Sequence, residues 1–195
     1  AGDISEYLEN HKRYSRMDYP LVRSYYIDET QLKPWVENYS ESQIILLGCG
    51  LDTRAYRLKF LEKNEPTIFE IDLSSVIKYK SKFLKDKKPY CNIKRIQADL
   101  SNFQWISKLK EEGYSEKIPT IWILEGVVYY IKKFVIFKML QEIANITSKS
   151  SKIFIDVCIP IFAEVKVSPF SRYFKWGIEK ENISSFFTKS GWEVT

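Results

Sequence analysis

The sequence predicts an α/β domain of the doubly wound kind, a mostly parallel sheet with helices on both faces. Three observations carry this. Ile44 to Leu47 is a short apolar run that breaks at Gly48-Cys49-Gly50 and gives way to a helix-compatible stretch, Asp52 to Leu58. That is the pattern of a buried strand, a tight turn and a helix start. Further on, short apolar or β-branched segments alternate with stretches of helical periodicity, as successive βα units do. Those segments also end in carboxylates, at Asp72, Asp99 and Glu125, and sheets of this kind bind ligands at the carboxyl ends of their strands.

Length and composition narrow the class. At 195 residues, 45% hydrophobic and 28% charged, the chain suits one well-packed domain, with no internal repeat or linker. We expect a helical cover over residues 1–40 and the sheet core over 43–195, with a carboxyl edge left incomplete. No apolar run approaches the roughly 18 to 20 residues that span a bilayer. Asp3, Glu6 and Glu9 do not fit a signal peptide, so a cytoplasmic location is the default expectation. Cys49, Cys91 and Cys158 are scattered, in or beside apolar stretches, which predicts buried thiols rather than a disulfide framework. His11 is the only histidine. A histidine zinc site, a Ser-His-Asp triad and a Cys-His pair therefore have no candidate residues, no metal is expected, and proton chemistry falls to Asp, Glu, Lys or Tyr.

In chain order, residues 1–18 read as a polar helix, with Ile4, Tyr7, Leu8 and His11 at helical spacing. Pro20 interrupts, and a second helix runs from Glu29 through Val36 with a break at Pro34. These pieces would cover the ligand pocket, and Arg23 is the residue there to watch; its ordinary alternative is a surface ion pair.

The glycine turn brings backbone amides and the positive end of a helix dipole to one point. Thr53 stands where a third dinucleotide-binding glycine would be, and Asp52 would repel a pyrophosphate. A cofactor with a cationic centre, an amino-acid end and a nucleoside end fits better, as S-adenosylmethionine does. An ordinary strand-to-helix turn is the alternative. Thr67 to Asp72 reads as the second strand. Asp72, about 20 residues past the glycines, is placed to accept ribose hydroxyls. Residues 73–85 form a helix with Val76, Ile77 and Leu84 inward and its lysines outward.

Cys91 to Ala98 gives a third strand ending at Asp99-Leu100, a carboxylate and an amide suited to an adenine ring, with a helix cap as the alternative for Asp99. A helix over 103–112 closes at Gly113. Thr120 to Gly126 reads as the fourth strand, apolar on both faces like a central parallel strand, with Glu125 at its end. A carboxylate there is costly to bury unless it meets a partner, which favours function. Tyr129 and Tyr130 line the same mouth. Phe134 to Thr147 is an amphipathic helix, Lys152 to Val157 the fifth strand, and Ile178 to Lys189 a further helix. Gly191 to Thr195 starts one more strand.

Leu47-Gly48-Cys49-Gly50-Leu51-Asp52-Thr53-Arg54, Tyr56-Arg57-Leu58, Phe69-Glu70-Ile71-Asp72, Asp99-Leu100 and Glu125-Gly126-Val127-Val128-Tyr129-Tyr130 stand in the order and spacing of one family. On these residues the chain, over about 13 to 195, resembles the leucine carboxyl methyltransferases and their bacterial-type O-methyltransferase relatives. The resemblance implies a Rossmann-like class I methyltransferase fold with one antiparallel edge strand. It implies S-adenosylmethionine as cofactor and S-adenosylhomocysteine as product. By the same resemblance Arg23 pairs with the cofactor carboxylate, and Gly48 and Gly50 form the cradle. Asp72 meets the ribose, Asp99 and Leu100 the adenine, and Glu125 lies near the amino-acid end. Tyr130 stands beside the reaction centre as the catalytic candidate, and Arg57 has a supporting role.

The expected activity is methyl transfer to oxygen on a small molecule or a peptide carboxyl terminus. A carboxylate acceptor needs no base, which suits a chain with one histidine. An RNA-linked carboxyl methyltransferase is the alternative, supported by the Lys78 to Lys88 run, for which a solvated helix face is the commoner explanation. A non-enzymatic nucleotide-binding module is the third reading. The acceptor depends on the loosely patterned segments 14–36 and 158–177, and the oligomeric state has no signal in the chain.

Overall fold

The computed structural model describes residues 18–165 and 171–195. Five strands, β1 Gln43–Leu47, β2 Thr67–Asp72, β3 Asn92–Gln97, β4 Thr120–Leu124 and β5 Lys152–Ile155, form one sheet in the order β3-β2-β1-β4-β5. Every neighbouring pair is parallel, so all five carboxyl ends lie on one edge. The strand order reverses at β1, which places a topological switch point between β1 and β4.

The helices are α1 Asp18–Tyr26, α2 Lys33–Asn38, α3 Arg54–Arg57, α4 Ser74–Leu84, α5 Gln104–Glu111, α6 Lys133–Asn145, α7 Pro160–Glu164 and α8 Lys180–Lys189. They pack on both faces because successive strand side chains point to opposite sides. Ile45 and Leu47 of β1 join Trp122 of β4 and Phe69 of β2 in a core closed by Trp105, Met139, Leu140 and Phe187. Ile44, Leu46, Ile68 and Ile123 face the other way, against Ile27, Leu32, Trp35 and Ile77. Both central strands are buried along their whole length, which is why they read as unbroken apolar runs.

The helix expected over residues 1–18, with His11, lies outside the described residues. From Asp18 to Asn38 the cover is one nearly continuous helical rod, with a widened π turn over Ile27–Leu32. Neither proline breaks it. Pro20 lies within α1, which runs on past it to Tyr26. Pro34 follows the widened turn, in which the Lys33 amide reaches back to the Asp28 carbonyl, and that extra residue absorbs the missing proline donor.

Two further expectations are corrected. The lysines of α4 do not all point outward: Lys80 is 2% exposed. Its ammonium lies 2.9 Å from Glu70 of β2, close enough for an ion pair though not aligned as a hydrogen bond. Arg95 of β3 satisfies the other Glu70 oxygen at 2.9 Å. No antiparallel edge strand occurs among the described residues. At Gly191–Thr195 the Trp192 amide instead closes α8 on the Phe187 carbonyl and its indole donates to the Leu140 carbonyl, which ties the segment to helices rather than to β5. Among the described residues, no helix is long and apolar enough to cross a membrane.

Candidate ligand site at the strand tips

Parallel pairing puts the strand-end residues in a row. Asp99 follows β3, Asp72 ends β2, Gly48 to Gly50 follow β1, Glu125 follows β4 and Asp156 follows β5. The glycine loop is anchored from β2. The Gly48 and Cys49 amides both donate to the Ile71 carbonyl, at 2.9 and 3.2 Å. The Gly50 amide donates to Asp72 Oδ2 at 2.7 Å, and Asp72 Oδ1 accepts the Leu73 amide at 2.7 Å. Gly48 has φ +73°, and a Cβ there would come within 2.5 Å of Val127 Cγ2, so the bend and the close approach both require glycine.

Between this loop and α1 lies a cavity of about 870 Å³, lined among others by Arg23, Ser24, Asp28, Gly48, Gly50, Arg54 and Glu125. Its polar wall is an ion network. Glu125 Oε1 accepts from Arg23 Nε at 2.9 Å and from Ser24 Oγ at 2.7 Å, while Oε2 accepts from Arg54 at 2.7 Å. Arg23 also donates to Asp156 Oδ2 at 2.7 Å, and the Gly126 amide holds the other Asp156 oxygen at 2.6 Å. Arg54, 3% exposed, further meets Asp28 at 2.5 Å and Asp52. Arg57, for which a supporting role is expected, takes the second Asp28 oxygen at 2.5 Å.

Burial opposes the charges of Arg23, Glu125 and Asp156, and the partners outweigh it at the first two. For Arg23, burial is outweighed by Asp156 and Glu125, and its pKa rises further above the ordinary arginine value. For Glu125, burial is outweighed by Arg54, Ser24 and Arg23, and the carboxyl is held below its usual range. Asp156 goes the other way: burial prevails over Arg23 and the Gly126 amide, and its pKa rises. Burial pushes the Cys49 thiol up to about 12, so it packs as an unreactive thiol beneath the loop.

Arg23, Gly48, Gly50 and Glu125 thus meet at one cavity. Asp72 reaches it through the Gly50 amide. Asp99 and Leu100 stand further along the edge; Asp99 Oδ1 accepts the Ser101 amide and hydroxyl at 2.8 and 2.7 Å, and these hydrogen bonds lower its pKa, while the Leu100 side chain is buried in the core. Tyr130 does not line the cavity. Its ring packs 5.1 Å from both Tyr129 and Phe174, and burial raises the pKa of its phenol.

Asp28, Arg54 and Asp156 were not singled out from sequence. Asp156 obeys the rule that picked out Glu125, a carboxylate just past an apolar strand. Arg54 stood in the glycine block, but its partners Asp28 and Glu125 are 26 and 71 residues away, a separation that no local spacing encodes.

A model of the leucine carboxyl methyltransferase family matches residues 3–144. A candidate S-adenosyl-L-methionine-dependent methyltransferase of Mycolicibacterium smegmatis is 29% identical over 174 residues, covering 78% of this chain and 56% of the relative. One from Mycobacteroides abscessus is 29% identical over 158 residues, covering 80% and 50%. The chain spans about half the length of the curated relatives it matches. Among solved structures, a DUF574-family protein of Streptomyces avermitilis superposes with a TM-score of 0.62 at 12% identity, over 88% of this chain and 66% of that one. A LepI variant solved in complex with SAH and a substrate analogue gives 0.58 at 16% identity, over 83% and 41%. These likenesses bear on the fold.

Proposed function

The chain belongs to the leucine carboxyl methyltransferase family, and from that premise we propose that its strand-tip cavity holds S-adenosylmethionine for methyl transfer to an oxygen acceptor. The observation that carries the reading is the meeting of Arg23 and Glu125 with the Asp72-anchored glycine bend around one cavity. The residues fit the cofactor's charges. Arg23 would take its carboxylate, Glu125 would face its amino-acid end, and Asp72 would meet its ribose. Asp99 with the Leu100 amide would meet its adenine, further along the same edge. Among the residues that line the cavity, Asp28, Glu29, Asp52 and Glu125 outnumber Arg23, Arg54 and Arg57 by one, and that surplus favours a cationic centre nearby.

When bound, this cofactor supplies a methyl group on a positively charged sulfur, open to in-line displacement. The residues of the chain align the reactants and exclude water, which can provide much of the acceleration. Tyr129 and Tyr130 both have raised phenol pKa values through burial, which makes them poor bases at neutral pH. An acceptor already ionised, a carboxylate on a small molecule or a peptide terminus, suits such a site. Tyr130, packed against Tyr129 and Phe174 outside the cavity, is then not needed as a base.

Calorimetric titration with S-adenosylhomocysteine tests the cofactor, with micromolar binding expected. Incubation with methyl-labelled cofactor and cell extract, followed by mild alkali, tests the acceptor. Volatile labelled methanol means an ester, and label retained after alkali would overturn the carboxylate reading. A second reading, an RNA-linked acceptor, is favoured by one feature: Tyr79 and Phe83 are exposed, with centroids 4.7 Å apart, on the helix that carries Lys78 and Lys82. Salt-dependent affinity for RNA would support it.

A further inference from the structure

We infer that Arg54 is a positioning residue for the site: it fixes the Glu125 carboxylate, and through it Arg23, while fastening the helical cover to the glycine loop. The inference rests on the cofactor reading above. Arg54 is fully buried and gives each guanidinium nitrogen to a different chain segment. Nε meets Asp28 of the cover at 2.5 Å, one terminal nitrogen meets Asp52 of the glycine loop, and the other meets Glu125 at the tip of β4 at 2.7 Å. A planar fork can satisfy three separate carboxylates at fixed angles, which an ammonium on a flexible stem cannot.

The division of labour at Glu125 gives the arrangement its consequence. Its Oε1 is taken by Arg23 and Ser24 and its Oε2 by Arg54. With both oxygens held, the carboxylate plane cannot turn, and the guanidinium of Arg23 is presented in one orientation. Without Arg54, Oε2 is free and the plane can rotate, so that Asp156 is left as the only rigidly placed carboxylate on Arg23 and its aim loosens. Asp28 feels the same loss in part, since Arg57 still holds its second oxygen at 2.5 Å.

The test is a double-variant cycle read by calorimetric titration with S-adenosylhomocysteine on the folded chain. Arg54→Lys is expected to weaken binding about 10-fold in the native background, but about 3-fold or less when Glu125→Gln is already present, the coupling expected of residues that act as a unit. Asp28→Asn, which reaches the same clasp from the cover, is expected to weaken binding about 3-fold and carries the test if Arg54→Lys does not fold. Equal losses from Arg54→Lys in both backgrounds mean an additive, merely structural role and overturn the inference while leaving the cofactor reading intact. So does Asp28→Asn binding at native affinity. A native chain with no affinity for the probe overturns the cofactor reading, and this inference with it.

Discussion

The Gly50 amide donates to the Asp72 carboxylate at 2.7 Å, so the acidic tip of β2 sets the second glycine of the loop in place. Asp72 therefore holds the cradle, and in the proposed site it would also face the ribose. Asp72→Ala is expected to lower S-adenosylhomocysteine affinity by about 10- to 100-fold, the range for a charge-assisted hydrogen bond. Asp72→Asn, which keeps one acceptor for the Gly50 amide, is expected to lose less. Calorimetry orders the two, and equal losses would separate the loop from the ligand.

Arg23 stands between Glu125 and Asp156 on the cavity wall. Arg23→Ala is expected to weaken binding of the same probe about 10- to 100-fold while the far-ultraviolet circular dichroism stays native. Both carboxylates keep other donors, Arg54 and Ser24 for one and the Gly126 amide for the other. Unchanged affinity in this variant would remove Arg23 from the site.

Gly48→Ala carries two penalties, a left-handed φ of +73° and a Cβ placed 2.5 Å from Val127 Cγ2. Strain of about 1–2 kcal/mol and overpacking of about 1–3 kcal/mol are expected. Val127→Ala in the same chain removes the closest contact, so part of the loss in urea-unfolding midpoint should return. A double variant no more stable than Gly48→Ala alone would place the whole cost in the backbone.

Much of this was legible from sequence wherever one local rule acted alone. β2 and β4 stand where alternation and apolar runs put them, and Gly48, Gly50 and Glu125 line one cavity. Legibility failed where a partner distant in sequence reversed a local preference. Lys80 sits in a run of exposed lysines, and only Glu70, ten residues earlier on the sheet, draws it inward. That burial in turn leaves Tyr79 and Phe83 exposed, against the usual order of aromatics and lysines. The π turn ahead of Pro34 was hidden for a similar reason: a proline reads as a break, and the widened turn that accommodates it has no signature in composition.

The reversal at Lys80 is testable. Removing one member of a buried ion pair typically costs about 3–5 kcal/mol, and the lower end applies because Arg95 remains on Glu70. Lys80→Met is expected to lower the urea midpoint clearly, and Lys78→Met, at an exposed position of the same helix, to leave it unchanged. Equal effects would put Lys80 on the surface.

Acid titration should separate Asp156 from Glu125, though both hold Arg23. Asp156 has its pKa raised from 3.8 by burial, so the native chain binds that proton more tightly than the unfolded one. Its contribution to stability therefore grows as pH falls through the raised value and is full below the unfolded one. Glu125, lowered from 4.5 although burial opposes it, with Arg54 foremost among the groups that hold it down, contributes fully above its unfolded value and loses that contribution as pH falls through the depressed one. On acidification Arg23 thus loses the Asp156 charge first and the Glu125 charge last. In urea unfolding between about pH 3 and 7, Asp156→Asn should remove a stabilising slope at the upper end of the acid range, and Glu125→Gln a destabilising slope at the lower end. If Asp156→Asn leaves the pH dependence of the native chain unaltered, the carboxylate is not the tightly held proton acceptor that its buried place between Arg23 and the Gly126 amide requires.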